Sequence, residues 1–88
     1  MPDRIPNAPL REAFLESGLT LSEVCYRLGW TRMQNARVVA DVSPLKRALG
    51  LQPWTNGQGR SYTSRLVGTE KAARILRALD LDPIDFDL

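Results

Sequence analysis

Four stretches of the chain carry apolar residues at helical spacing, and three of them run into a glycine. Leu10, Ala13 and Phe14 recur three and four positions apart, which predicts a helix from about Pro9 to Ser17, with Asn7 or Ala8 near its cap and Gly18 at its end. The segment from Thr20 to Leu28 is marked best. Thr20 and Glu23 are spaced as a capping box, Leu21, Val24, Cys25 and Leu28 share one face, and Gly29 follows. Ser43-Pro44 has the form of an N-cap followed by proline at the first helical position, ahead of Leu45, Ala48, Leu49 and the stop Gly50. The last helix runs from Thr69 or Glu70 to Leu79 with Ala72, Ile75, Leu76 and Leu79 inward. Asp82-Pro83 then begins a final turn with Ile84 and Phe86 to pack.

Between these stretches the pattern weakens. Asn35 occupies the place of a buried aliphatic if a helix starts just after Trp30, and only Val38 and Val39 could anchor it. Either a helix begins at Thr31, or residues 31–42 form an inserted turn that carries at most a short helix. Asn56-Gly57 is a turn signal, and Trp54, Tyr62 and Thr63 favour strands, so a small β-hairpin or an ordered loop is expected near residues 52–66. Residues 1–8 hold Pro2 and Pro6 without apolar periodicity and read as an extended arm. The expected fold is therefore mainly α: a compact domain of about five short helices over residues 9–88, preceded by the arm.

The segment from Thr20 to Trp30 resembles the first helix of the bipartite motif in the repressor-like (Cro-type) helix-turn-helix family of small bacterial and phage regulators. The family pattern is Thr, an apolar and a small residue four and five positions on, then apolar-Gly-apolar. Here it is met by Thr20, Val24, Cys25, Leu28, Gly29 and Trp30, with Cys25 for the usual alanine. A small side chain at 25 lets the next helix approach, and glycine at 29 permits a left-handed turn. The ending from Thr69 to Asp85 is similar to the family's closing helix pair, with Asp80 in place of a frequent glycine. The middle of the chain diverges. The order of parts also looks like that of small regulatory proteins of actinobacterial phages.

Charge sharpens this picture. The net charge is only +2, but four of the ten acidic residues are Asp80, Asp82, Asp85 and Asp87, and from Arg27 to Arg74 nine basic residues face only Asp41 and Glu70. Such an imbalance is the footprint of a phosphate-binding surface. Ten of the twelve basic residues are arginine, suited to bidentate contacts with phosphate and guanine.

Other classes fare less well. One cysteine and no histidine exclude an internal disulfide, a zinc site and a cysteine–histidine pair, and Cys25 reads as a small buried hydrophobe. There is no glycine-rich phosphate loop and no nucleophile–base constellation, so neither an enzyme nor a cofactor or metal is expected. No signal-like or membrane-spanning run is present, which predicts a cytoplasmic protein.

The resemblance implies a sequence-specific protein for double-stranded DNA, a transcriptional repressor or phage regulator, with its recognition helix in the major groove. Carried over by position, Lys46 and Arg47, on the helix headed by Ser43, are the candidates for base contacts. Arg32, Gln34, Asn35 and Arg37 are the rival set if the recognition helix starts after Trp30. Arg60, Ser61 and Arg65 would hold phosphates, on a wing or a solvated loop. Relatives often form homodimers on palindromic sites, although no dedicated dimerisation segment is visible here. The alternative is a small helical protein–protein interaction module, a phage or host adaptor, using Trp30, Trp54 and nearby arginines.

Overall fold

The computed structural model describes residues 3–88, except for the side chain of Trp54. Pro2 of the expected arm and any packing of Trp54 lie outside the described residues. In chain order the elements are β1 (Arg4–Pro6), α1 (Ala8–Ser17), α2 (Leu21–Leu28), β2 (Thr31–Gln34), β3 (Arg37–Ala40), α3 (Ser43–Leu49), β4 (Trp54–Thr55), β5 (Ser61–Tyr62), β6 (Leu66–Gly68), α4 (Thr69–Ala78) and a 3-10 turn over Pro83–Phe86. The strands pair as three antiparallel ladders, β1 with β6, β2 with β3 and β4 with β5. The architecture is thus a mixture of α and β, which corrects the expectation of a mainly α domain of about five helices.

The correction has two sources. Residues 31–40 form a hairpin, so no helix starts at Thr31. Branched Thr31, Val38 and Val39 suit a pleated ladder, and Asn35 and Ala36 both take positive φ, 51° and 62°, as the tight turn of a two-residue hairpin requires. The second source is long-range. Arg4, Ile5 and Pro6 pair with Gly68, Val67 and Leu66, so the extended N-terminal segment is a strand of the domain itself. Proline is tolerated there because each strand of a two-stranded ladder is an edge.

The helices follow the apolar pattern closely. In α2 the capping box is present: Glu23 N donates to Thr20 Oγ1 at 3.1 Å, and Thr20 N donates to Glu23 Oε1 at 3.3 Å. Gly29 then turns left-handed at φ 77°. Helix α3 has proline in its first turn, but Val42 occupies the N-cap and Ser43 makes no capping hydrogen bond, a correction to its expected role. Helix α4 buries Ala72, Ile75 and Leu76, with Leu79 just beyond its end. Burying each of the larger side chains is worth about 1.5–3 kcal/mol.

Around that stripe gather Leu10 and Phe14 of α1, Val24 and Cys25 of α2, Leu45 and Leu49 of α3 and Val67 of β6. Asp80 takes φ 63°, the left-handed conformation that a glycine would supply, and its carboxylate meets Arg27 at 3.1 Å. At the C-terminal turn, Asp82 Oδ1 accepts from Ile84 N and Phe86 packs on the core, whereas Ile84 is 73% exposed, contrary to expectation. Among the described residues no helix is long and apolar enough to cross a membrane.

Candidate nucleic-acid interface

Helix α3 is anchored on one side and open on the other. Leu45, Ala48 and Leu49 are buried, which at 100° per residue leaves Lys46, Ser43, Arg47 and Pro44 along the outer arc. Arg47 is exposed, while Ser43 and Lys46 are half-buried. The C-terminal end is clamped by a polar node. Arg11 Nη1 donates to the Leu49 carbonyl at 3.1 Å, and buried Asn7 donates through Nδ2 to the Ser64 carbonyl at 2.7 Å and through its backbone N to Arg65 O at 2.9 Å. Gly50, at φ 72°, lies against this node. A Cβ there would come within 2.9 Å of both Ser64 O and Arg11 Nη1.

The β2–β3 hairpin replaces the tight turn expected between α2 and a recognition helix. Its register pairs Arg32 with Val39 and Gln34 with Arg37. Because successive side chains alternate between faces, Arg32, Gln34 and Arg37 fall on one face, and Thr31, Met33, Val38 and Ala40 on the other. Asn35 stands at the tip. The candidates of the rival set are therefore gathered on an exposed wing rather than on a helix. At its base, Asp41 N donates to Trp30 O at 3.0 Å and Cys25 Sγ donates to Asp41 O at 3.4 Å. Burial, and secondarily the charge of Asp41, push the Cys25 thiol above its ordinary range, so it stays a protonated core group.

The second hairpin confirms the strand expectation near residues 52–66. Its loop spans residues 56–60 and is organised by Asn56, whose Oδ1 accepts from Gln58 N at 2.9 Å and from Arg60 N at 3.1 Å. Asn56-Gly57 thus opens the loop instead of forming the whole turn. Arg60 ends this loop, and Ser61 Oγ lies 3.3 Å from Thr55 Oγ1. Arg65 is exposed between β5 and β6.

Three further cations enter the surface by tertiary structure alone. The pairing of Arg4 with Gly68 brings Arg4 beside the outer arc of α3, and α4 delivers Lys71 and Arg74 next to Pro44. Lys71 Nζ sits 5.9 Å from the centre of the Trp30 ring, a cation–π contact. In the sequence, Lys71 and Arg74 figure only in the basic excess from Arg27 to Arg74. Nothing local signals that a strand at residue 4 and a helix at residue 71 converge.

Few of these cations are paired. The one ion pair among the described residues joins Arg27 to Asp80, neither of which lies on α3 or on either hairpin. Arg32, Arg37, Lys46, Arg47, Arg60 and Arg65 therefore have no carboxylate within ion-pair distance among the described residues. Arginines held this way are available to anionic ligands, and their planar forks fit phosphate and guanine edges. No protein-family model, no curated protein and no solved structure matches the chain.

Proposed function

We propose that this chain is a sequence-specific binding protein for double-stranded DNA, a cytoplasmic transcriptional repressor or phage regulator of the repressor-like helix-turn-helix class, in which the β2–β3 wing replaces the usual tight turn. The observation that carries this reading is the outer arc of α3, where Ser43, Lys46 and Arg47 stand on a helix buried along its inner side, together with a wing whose one face bears Arg32, Gln34 and Arg37, all without carboxylate partners among the described residues. A helix of seven residues spans roughly 10 Å, comparable to the width of the major groove. Ser43, Lys46 and Arg47 then face base edges. The hairpin arginines, with Arg60 and Arg65, straddle the sugar–phosphate backbone and hold register without reading sequence.

Selection of bound sequences from randomised duplexes tests this reading. The expected result is one enriched motif. Its symmetry reports stoichiometry, because a palindrome requires a homodimer. Recovery of no motif, together with no duplex binding at low salt, would remove the proposal. A protein-binding module is the second reading, favoured by Met33 and Val38, which lie side by side on the opposite face of the wing and are 66% and 59% exposed.

A further inference from the structure

A shallow trough of about 440 Å³ lies where β1, α3, β6 and α4 meet. Its charged lining residues are Arg4, Arg47 and Lys71, joined by Ser64, and no carboxylate borders it. Across Arg4 and Ser64 it continues into a second depression that adds Arg65. This differs from the neighbouring depression at the base of the wing, where Asp41 and Glu70 stand among the cations, and from the one beneath α2, where Asp80 faces Arg27. On a domain with a net charge of only +2, a concavity lined by three cations from three separate elements and free of acid carries a high positive potential.

The position of each cation has a structural cause. Arg4 is fixed by its register opposite Gly68, Asp3 O accepts from Thr69 N at 3.0 Å to lock β1 to the head of α4, and Lys71 follows in the first turn of that helix. Three like charges brought together in this way repel one another, and among the described residues no carboxylate lines the trough to offset them. An external anion does so.

We infer that this trough seats a backbone phosphate of the bound duplex, held by Arg4 and Lys71 with Arg47 at the rim shared with the reading face. The inference rests on the DNA-binding reading and extends it to two residues on opposite ends of the chain. It makes β1 a positioning element, coupling the N-terminal strand to the register of α3 on the DNA.

The test is the salt dependence of duplex affinity for the full chain and for Arg4→Gln, Lys71→Gln and Arg77→Gln. All three positions are exposed, so the variants retain the fold. Each phosphate contact contributes about 0.9 to the slope of log K against log salt. Arg4→Gln and Lys71→Gln are each expected to flatten the slope by about that amount, so that between about 50 and 200 mM salt they lose roughly 3.5-fold less affinity than the parent. They also weaken a selected and an unrelated duplex by the same factor. Arg77→Gln, outside the trough, leaves the slope unchanged. If the parent binds with a steep slope but Arg4→Gln and Lys71→Gln keep it, or if they alter the selected motif, the phosphate seat is wrong while DNA binding stands. If the parent fails to bind duplex even at low salt, the DNA-binding reading and the seat fall together.

Discussion

Helix α3 and the β2–β3 wing carry the two sets of candidate DNA contacts, yet they are held in very different ways. The helix is a short element buried along Leu45, Ala48 and Leu49 and held at its end by Arg11, which donates to the Leu49 carbonyl beside the Asn7–Ser64 hydrogen bond. The wing extends exposed residues from Thr31 to Val38 and is tied to the domain mainly at its base, through Val39, Ala40, Asp41 and Trp30. A fixed helix suits reading of base edges, because the hydrogen bonds that discriminate bases tolerate little misplacement. A wing with few packed neighbours suits contact with a backbone that is the same at every sequence.

The same substitution at two glycines is the strongest way to break this comparison. Gly50→Ala places a methyl 2.9 Å from the Ser64 carbonyl at a φ of 72°, so strain and overlap add. The expected loss is about 2–4 kcal/mol, a fall of more than about 10 °C in Tm. Gly29→Ala, at a φ of 77° but with open space around it, should cost only about 1–2 kcal/mol. Thermal melting of the two variants measures the difference, and equal losses would mean that the α3 clamp is not rigid.

A smaller effect, of opposite sign, belongs to the wing. Ala36 holds φ 62° without the freedom of glycine. Ala36→Gly is expected to stabilise the protein by about 0.5–1 kcal/mol, read as a higher denaturant midpoint, since Asn-Gly is the favoured pair for this turn. A destabilisation would place the tip in another conformation.

The smallest effect lies where the two regions join. Cys25 is buried, and its thiol is held protonated while the unfolded chain's thiol ionises at its ordinary value. Its contribution to stability is therefore complete below that ordinary value and is lost as the pH rises toward the folded one. Stability measured through mildly alkaline pH should show this decline, and Cys25→Ala should abolish it. Labelling of the native thiol by a bulky reagent should be no faster than opening of the fold.

Legibility in the sequence divides along the same line. Helix periodicity located α1, α2, α3 and α4 to within about two residues, helped by the capping box of α2 and the glycine stops of α1, α2 and α3, because their stability comes from one buried stripe that the sequence displays. The wing was hidden. Its turn uses Asn35-Ala36 rather than Asn-Gly, and Met33 and Val38 point to solvent, so neither turn chemistry nor an apolar face announced it. The β1–β6 ladder was hidden for a different reason. Two three-residue strands whose partners lie sixty or more positions apart have no local signature, so Arg4 and Lys71 could not be placed with Arg47. Of the candidate contacts, Lys46 and Arg47 were legible because they lie on a helix whose buried stripe fixes its outer arc.

The central claim is that α3 reads bases while the wing holds the backbone, and it is tested most directly by repeating selection from randomised duplexes with Lys46→Ala, Arg32→Ala and Gln34→Ala. Lys46→Ala is expected to relax preference at one or two base pairs by about 1–3 kcal/mol, whereas the wing variants should select the parental motif with affinity lowered uniformly or unchanged. A changed motif for Arg32→Ala or Gln34→Ala, alongside an unchanged one for Lys46→Ala, would contradict the account.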